Sequence, residues 1–414
     1  MKTINRRRFL GMSAIAGAGA IITPGLTACK SSSQTALAAE EALTTGKATA
    51  EAADGKIETR TLGKTGITVP VLSMGVMRAD NPAVLRAAYN SGITFFDTAH
   101  GYQNGKNEEM VGEFFKDKDR STFYIATKGN PGRRNVPDDY GKAFEEMLNT
   151  SLRRLQMDYV DIYYLHGPGS VEDVTNPQVL AAMKKFKSEG KIRHIGFSTH
   201  ANKPEQIDAA IETGVYEVIL ISYNFKLNIL PELDRAIERG VKAGLGFVAM
   251  KTMVGGGTAP AEPWNNNSGP IDGAACLRWV WQNKNIATAI PGFTSFDLLD
   301  NCLQAAHNPK FTDEDKKYIA QLGSQELLYC QNCGKCVGDC KKHLPIPDIM
   351  RAYMYNYGYR QPSLSKETLA ELALGADVCK GCTGCAVKCP SGFKVKEKIA
   401  AIAPVVNVPD RFLA

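Results

Sequence analysis

Two sets of residues in this 414-residue chain could carry chemistry, and they differ in kind. The first is a pair of cysteine runs, CQNCGKCVGDC at Cys330–Cys340 and CKGCTGCAVKCP at Cys379–Pro390, each spaced C-x2-C-x2-C-x3-C. Three thiolates at that spacing can wrap a cube of iron and sulfide, with a fourth ligand arriving from elsewhere. Zinc competes, because paired C-x2-C elements also build tetrahedral thiolate sites; the three-knuckle spacing, occurring twice, favours iron. The second set is Asp97 and Tyr102 in DTAHGY, Lys128 in ATK and His166 in LH, each closing an apolar run. Singly, each has a dull explanation: an ordinary turn, a solvated lysine, a hydrogen-bonded structural histidine. Four reactive side chains at three successive run ends are hard to explain that way.

The runs that would position this second set number eight: VLSMG (71–75), ITFFDTA (93–99), TFYIATK (122–128), YVDIYYLH (159–166), IRHIGFS (192–198), EVILIS (217–222), LGFVAM (245–250) and IATAIPG (286–292). Each is followed by a helical pattern, such as NPAVLRAAYNSG or YGKAFEEMLNTSLRRL. Eight such units predict an α/β fold, a (β/α)8 TIM barrel, whose catalytic groups sit at the C-terminal ends of the strands. A doubly wound sheet shares the alternation, but no GxGxxG follows the first run. Ahead of the barrel, ETRTLGKTGITVPVLSMG reads as two short strands joined by a glycine-containing turn.

Composition narrows the classes further. With 44% hydrophobic residues the chain can bury a large core. The formal charge is +6, but residues 1–29 supply Lys2, Arg6, Arg7 and Arg8 with no acid, leaving +2 for the rest. So mild a balance gives no footprint for nucleic acid. Eight of the eleven cysteines lie in the two runs and none lies between Cys29 and Cys276, unlike a disulfide scaffold. Cys276 and Cys302 fall in amphipathic patterns and are expected in the core.

The N-terminus carries processing signals. NRRRFLG, Asn5–Gly11, sets a twin arginine before an apolar run that is too short to span a bilayer, and it resembles a Tat signal peptide. LTAC, Leu26–Cys29, resembles a bacterial lipobox, which implies cleavage before Cys29 and lipidation of its thiol. The expected product is exported and held on the periplasmic or cell-surface face of a membrane through Cys29. The expected organisation is a signal peptide at 1–29, a Ser/Thr/Ala-rich tether at 30–56, the barrel at 57–325, an iron–sulfur domain at 326–400 and a tail at 401–414.

From about Thr59 to Ala306 the chain resembles the aldo-keto reductases, through RTLGKTG, FFDTAHGYQNGKNEEMVGEFF, ATK, LH, GFSTH and AIPGFTS. The resemblance implies a barrel that moves hydride between NAD(P)H and a carbonyl or alcohol, with Asp97, Tyr102, Lys128 and His166 as its tetrad. Those types suit the reaction. Reducing a carbonyl leaves an alkoxide, so a proton donor must stand beside the oxygen. A tyrosine of pKa ~10 needs a neighbouring ammonium to serve as that acid and base. Tyr102 is then the donor, Lys128 its tuner, Asp97 the partner of Lys128 and His166 the group that orients the substrate oxygen. The same likeness gives Ser198, Asn224, Pro291, Gly292, Ser295 and Asn301 as nucleotide contacts, with PGFTS facing phosphate; Lys251 in MKTMVGGG is a further candidate, either lining the pocket or meeting a phosphate, with surface solvation as the alternative. Leu220 and Thr199 stand where relatives often carry Gln and Asn. Gly292 and Leu298 stand where those gripping a 2′-phosphate tend to be basic, so NADH and NADPH both remain open.

The cysteine region, Glu326 to Ala400, resembles an alpha-helical dicluster ferredoxin domain, with helical patterns in PIPDIMRAYMYNYGY and SLSKETLAELALG. That resemblance implies two 4Fe-4S clusters with crossed ligands: Cys330, Cys333, Cys336 and Cys389 for one, Cys379, Cys382, Cys385 and Cys340 for the other. Pro390 after Cys389 fits the pattern, whereas Lys341 after Cys340 departs from it. Electrons would pass to or from a redox partner protein, and a nucleotide exported in tight complex would be recycled through the clusters. A second reading makes the chain a redox-sensing or electron-transfer module with a nucleotide-binding barrel and little turnover. Substrate choice is expected in loops such as GPGSVEDVTN and TMVGGGTAPAEPWNNNSG.

Overall fold

The computed structural model describes residues 56–132, 137–254, 272–325 and 328–413. The expected signal peptide and lipobox, all but the end of the expected tether and most of TMVGGGTAPAEPWNNNSG lie outside them.

The chain opens with an antiparallel hairpin of β1 (Thr59–Thr61) and β2 (Thr68–Pro70). Its turn needs the left-handed backbone of Gly63 (φ +56°); a Cβ there would meet Gly246 N at 2.4 Å, so only glycine allows the approach. Leu62, Ile67 and Val69 insert among Phe95, Tyr164 and Val248 and seal the N-terminal end of the barrel. The Arg60 guanidinium fastens the hairpin to the far end of the sequence, donating to the carbonyls of Trp281 (3.1 Å), Asn283 (3.2 Å) and Ile286 (2.7 Å).

All eight expected runs form parallel strands, in chain order around the sheet: β3 (Met74–Gly75), β4 (Phe95–Asp97), β5 (Tyr124–Gly129), β6 (Val160–His166), β7 (Ile192–Thr199), β8 (Val218–Ser222), β9 (Gly246–Met250) and β10 (Ile286–Ala289). Leu72 bridges Ala289, and the Ser73 and Gly75 amides donate to the Ala289 and Pro291 carbonyls at 2.9 and 3.0 Å. The cylinder is thereby closed and has no free edge. Both faces are covered, which explains the unbroken apolar runs. On β6, Ile162 and Tyr164 point into the barrel, and Tyr163 and Leu165 point out against the helices.

The helices follow from their sequences. Tyr140, Phe144, Leu148, Leu152 and Leu155 make one apolar stripe on Tyr140–Leu155, capped by Asp139, whose carboxylate accepts from Lys142 N. Asn81 and Asn176 cap helices whose first residue is a proline. Cys276 and Cys302 are fully buried in the core.

Beyond the barrel, helices Ile346–Tyr357, Pro362–Glu371 and Val395–Ile402 gather a separate small core of Ile349, Met350, Leu369, Ile399 and Ile402, with Cys336 at its edge. Residues 401–413 continue this domain and are not a tail: the last helix runs through residue 400, Leu413 is buried and its carbonyl accepts from Ser363 Oγ at 2.8 Å. Lys366 Nζ adds bonds to Val408 O and the Asp410 carboxylate, both at 2.7 Å.

Candidate active site

The sheet register brings Asp97 at the end of β4, Lys128 on β5 and His166 at the end of β6 to the same rim. The Lys128 ammonium donates to the Asp97 carboxylate and, at 2.6 Å, to Thr98 O. Their side chains are 1% and 3% exposed, so neither charge is hydrated. Burial lowers the Lys128 ammonium pKa and raises that of the Asp97 carboxyl, each opposed by the other's charge. Lys128 Nζ lies 5.2 Å from the centre of the Tyr102 ring, which meets the His166 ring edge-on at 5.9 Å. The four side chains form one group.

Tyr102 sits on a loop that is over-determined. His100 N donates to Lys128 O and Tyr102 N to Ala99 O, both at 3.0 Å. Gln103 and Asn104 adopt left-handed backbone (φ +50° and +54°), a strain held in place by side-chain bonds. Gln103 Nε2 donates to Met77 O and Ala79 O at 3.2 and 3.1 Å, and Asn107 Nδ2 to Val76 O at 2.7 Å. Beneath them the fully buried Glu108 accepts from Thr127 Oγ1 (2.6 Å) and from Arg154 Nη1 (3.2 Å), which also donates to His100 O.

A cavity of about 1250 Å³ opens above the tetrad, and its far wall belongs to the C-terminal domain: Asn332, Gly334, Arg351, Tyr355 and Tyr359. The cysteine-bearing domain therefore roofs the barrel mouth. Of the expected nucleotide contacts, Ser198, Lys251, Pro291 and Gly292 line this cavity; Asn224, Ser295 and Asn301 do not. Asn224 is fully buried and its amide is committed to scaffolding, donating to Lys251 O at 3.0 Å and accepting from Lys226 N at 3.1 Å. That clamp holds Lys251 in left-handed backbone, φ +58°. Ser295 caps helix Phe296–His307 through Leu298 N at 3.3 Å. Asn301 Oδ1 is buried without a hydrogen-bond partner among the described residues, and Ser222 is buried beside the Tyr329 hydroxyl; neither residue lines the cavity.

Residues that the sequence did not single out also reach the cavity: Arg78 after β3, His200 after β7, and Arg351 and Tyr359 from the roof. Arg78, three residues beyond the end of β3, and His200, directly after β7, had a local signal in their place at strand ends; the roof residues have none.

The cysteines fall into two neighbourhoods. Burial, followed by the nearby Cys336, Cys389 and Cys333 thiols, pushes Cys330 up to about 12, opposed by the Asn332 amide at 3.5 Å. Burial, followed by Cys382, Cys385 and Cys340, raises Cys379; those four line one small void. Among the described residues, no three or more His, Cys, Asp or Glu converge as they would on a single metal ion. Gln331 ties the two cysteine runs together and to the barrel, donating to Ser391 Oγ and accepting from Asn228 N, both at 2.8 Å. Lys203, buried at the seam, is held down to about 8 by burial, with Cys333 opposing. The run carrying Cys330, Cys333 and Cys336 is thus the one beside the cavity, through Asn332 and Gly334.

The aldo/keto reductase family model matches residues 72–272, and the 4Fe-4S dicluster domain model matches residues 329–394. L-galactose dehydrogenase of Arabidopsis thaliana is 35% identical over 305 residues, 64% of this chain and 93% of that protein. L-glyceraldehyde 3-phosphate reductase of Escherichia coli O157:H7 is 30% identical over 326 residues, 64% of this chain and 92% of that protein. Among solved structures, the holo form of aldo-keto reductase AKR11C1 from Bacillus halodurans shares the fold with a TM-score of 0.54 at 24% identity, covering 67% of this chain and 99% of that one.

Proposed function

Because this chain belongs to the aldo/keto reductase family, we propose that it is an exported oxidoreductase transferring hydride between NAD(P)H and a small carbonyl or alcohol, and exchanging electrons through two 4Fe-4S clusters. One observation carries the reading: the tetrad and the first cysteine run share one cavity. When bound, the nucleotide supplies hydride and the clusters supply or accept single electrons. The donor sets suit these groups, with eight thiols in two quartets and with Ser198, Lys251, Pro291 and Gly292 on the cavity wall.

The chain's own residues do the rest. Tyr102 gives its proton to the carbonyl oxygen as charge develops there. Lys128 favours the phenolate that remains, and Asp97 fixes Lys128 in place. His166, edge-on to Tyr102, orients the oxygen between the two rings. Ser198, near the end of β7, would bind the nicotinamide carboxamide, and the loop from Pro291 to the helix start at Ser295 would take phosphate. Cys330, Cys333, Cys336 and Cys389 would hold one cluster, and Cys340, Cys379, Cys382 and Cys385 the other; the clusters would supply single-electron exchange with a redox partner protein. The twin-arginine segment and Cys29 direct export and lipid anchoring.

Anaerobic titration of the purified protein with NADPH and then NADH, following the clusters' visible absorbance, tests the coupling. Bleaching by either nucleotide is expected; bleaching by dithionite alone would overturn it. In the same preparation, Tyr102→Phe should lower carbonyl turnover by about 10³-fold and leave nucleotide affinity unchanged. Normal turnover by that variant would remove Tyr102 from its role.

A further inference from the structure

The wall between barrel and roof carries more positive charge than the tetrad requires. The Arg78 guanidinium lies over the Tyr359 ring, 4.5 Å from its centre, and its Nη2 donates to Tyr359 O at 3.3 Å; its Nε is buried without a partner. Lys251 Nζ donates to the Tyr359 hydroxyl at 3.1 Å and lies 4.8 and 5.5 Å from the Tyr359 and Tyr355 ring centres. Burial lowers the Lys251 ammonium pKa, the Tyr355 hydroxyl opposes this, and the cationic Arg351 and Arg78 add to it. Arg351, from the roof helix, meets only Asp348 among the described ion pairs, at 3.3 Å. His200, at the same wall, is pushed well below the usual imidazole range by burial and then by Arg351, Lys251 and Lys203.

Among the cavity's acids Asp348 meets Arg351, and three others are engaged away from the cations. Asp97 holds Lys128, Asp173 accepts from the Gly169 and Ser170 amides, and Glu367 accepts from Asn104 Nδ2 at 3.2 Å. Three half-buried cations this close together are costly even with Asp348 beside Arg351 and the exposed Asp80 near Arg78, and aromatic faces return only about 0.5–2 kcal/mol. The backbone of Lys251 is also held in an unfavourable conformation. An anion seated among the three cations would offset these costs.

We propose that Arg78, Lys251 and Arg351 form a recognition site for a carboxylate or phosphate group on the substrate. This deepens the hydride-transfer reading and rests on it for the word substrate. The nucleotide is the other source of such an anion. Arg351 and both tyrosines, however, come from outside the segment that matches the family model, so half of the site is what this chain adds to the barrel. All three cations line the cavity that holds Tyr102 and His166.

The test uses the full chain with its clusters and needs no turnover. Calorimetric titration with malonate and with inorganic phosphate, with and without NADPH, measures anion binding; fluorescence titration measures NADPH affinity. Wild type should bind one of these anions, and Arg351→Met and Arg78→Met should each weaken it by about tenfold or more, with NADPH affinity within twofold. Arg351→Lys should retain most of the binding, which separates lost charge from lost structure. No binding to wild type, unchanged binding in both Met variants, or a parallel fall in NADPH affinity would each overturn the proposal, the last by assigning the cations to the nucleotide phosphate. Loss of anion binding in variants of a protein that binds no NADPH would keep the site and remove the hydride reading.

Discussion

Replacing Asp97 with Asn tests the centre of the site. The substitution keeps the shape and removes one charge from a pair whose side chains are 1% and 3% exposed. Lys128 then keeps Thr98 O at 2.6 Å as an acceptor but has no counter-ion. Breaking a buried pair on one side costs about 3–5 kcal/mol. A ceiling follows from titration, since discharging a lysine of pKa ~10.4 at pH 7 costs about 4.6 kcal/mol, after which no buried charge remains. The sign is fixed: burial lowers the folded-state pKa of Lys128, so the unfolded chain binds more protons and stability rises with pH. The deficit of the variant should therefore shrink as pH climbs toward ~10.4. Urea unfolding of wild type, Asp97→Asn, Lys128→Met and the double variant at pH 6, 7.5 and 9 measures this. The double variant should recover most of the loss, because no uncompensated cation survives, while turnover stays lost in all three. A single variant within about 1 kcal/mol of wild type, or a deficit flat with pH, would refute the reasoning.

Two further outcomes are expected. Burial alone would raise the pKa of Glu217, but His194 Nδ1 (2.8 Å), Lys187 Nζ (2.6 Å) and Ile195 N (3.1 Å) outweigh it and hold the carboxyl at about 2 against an ordinary 4.5. Glu217→Gln should cost about 1–2 kcal/mol at pH 7, a figure discounted for partial exposure. That difference is present above pH 4.5 and should vanish as pH falls toward 2; urea midpoints across that range check it. Cys330→Ser and Cys385→Ser should each halve the iron content, from about eight to about four per chain, because each removes a ligand from a different quartet. Loss of all iron in both variants would show one shared site.

The barrel was legible because its strands, covered on both faces, read as largely apolar runs, and because Asp97, Lys128 and His166 all fall at or near the C-terminal ends of theirs. The tetrad types and the two cysteine runs stand out because their chemistry demands uncommon residues, the cysteines at a fixed spacing; the division into quartets came only from the resemblance to dicluster ferredoxins. Asn224 was misread. An asparagine after a strand looks the same in sequence whether its amide faces a ligand or, as here, clamps Lys251 O. The roof was invisible, since nothing in PIPDIMRAYMYNYGY says that Tyr359 will meet Arg78 or that Arg351 will line the same cavity. Residues 401–413 carry no periodic pattern, so their packing through Leu413 and Ser363 could be seen only in three dimensions.

The Arg60 guanidinium sets a clock on the birth of the molecule. Its acceptors on Asn283 and Ile286 lie 223 and 226 residues downstream. At synthesis rates of about 5–20 residues per second, the hairpin must wait roughly 10–45 s before its partners exist. Contacts of such long sequence separation are slow to form. The cylinder is therefore latched last by its first-made piece, and the apolar residues of that hairpin, Leu62, Ile67 and Val69, are those most in need of shelter while the chain is still being made.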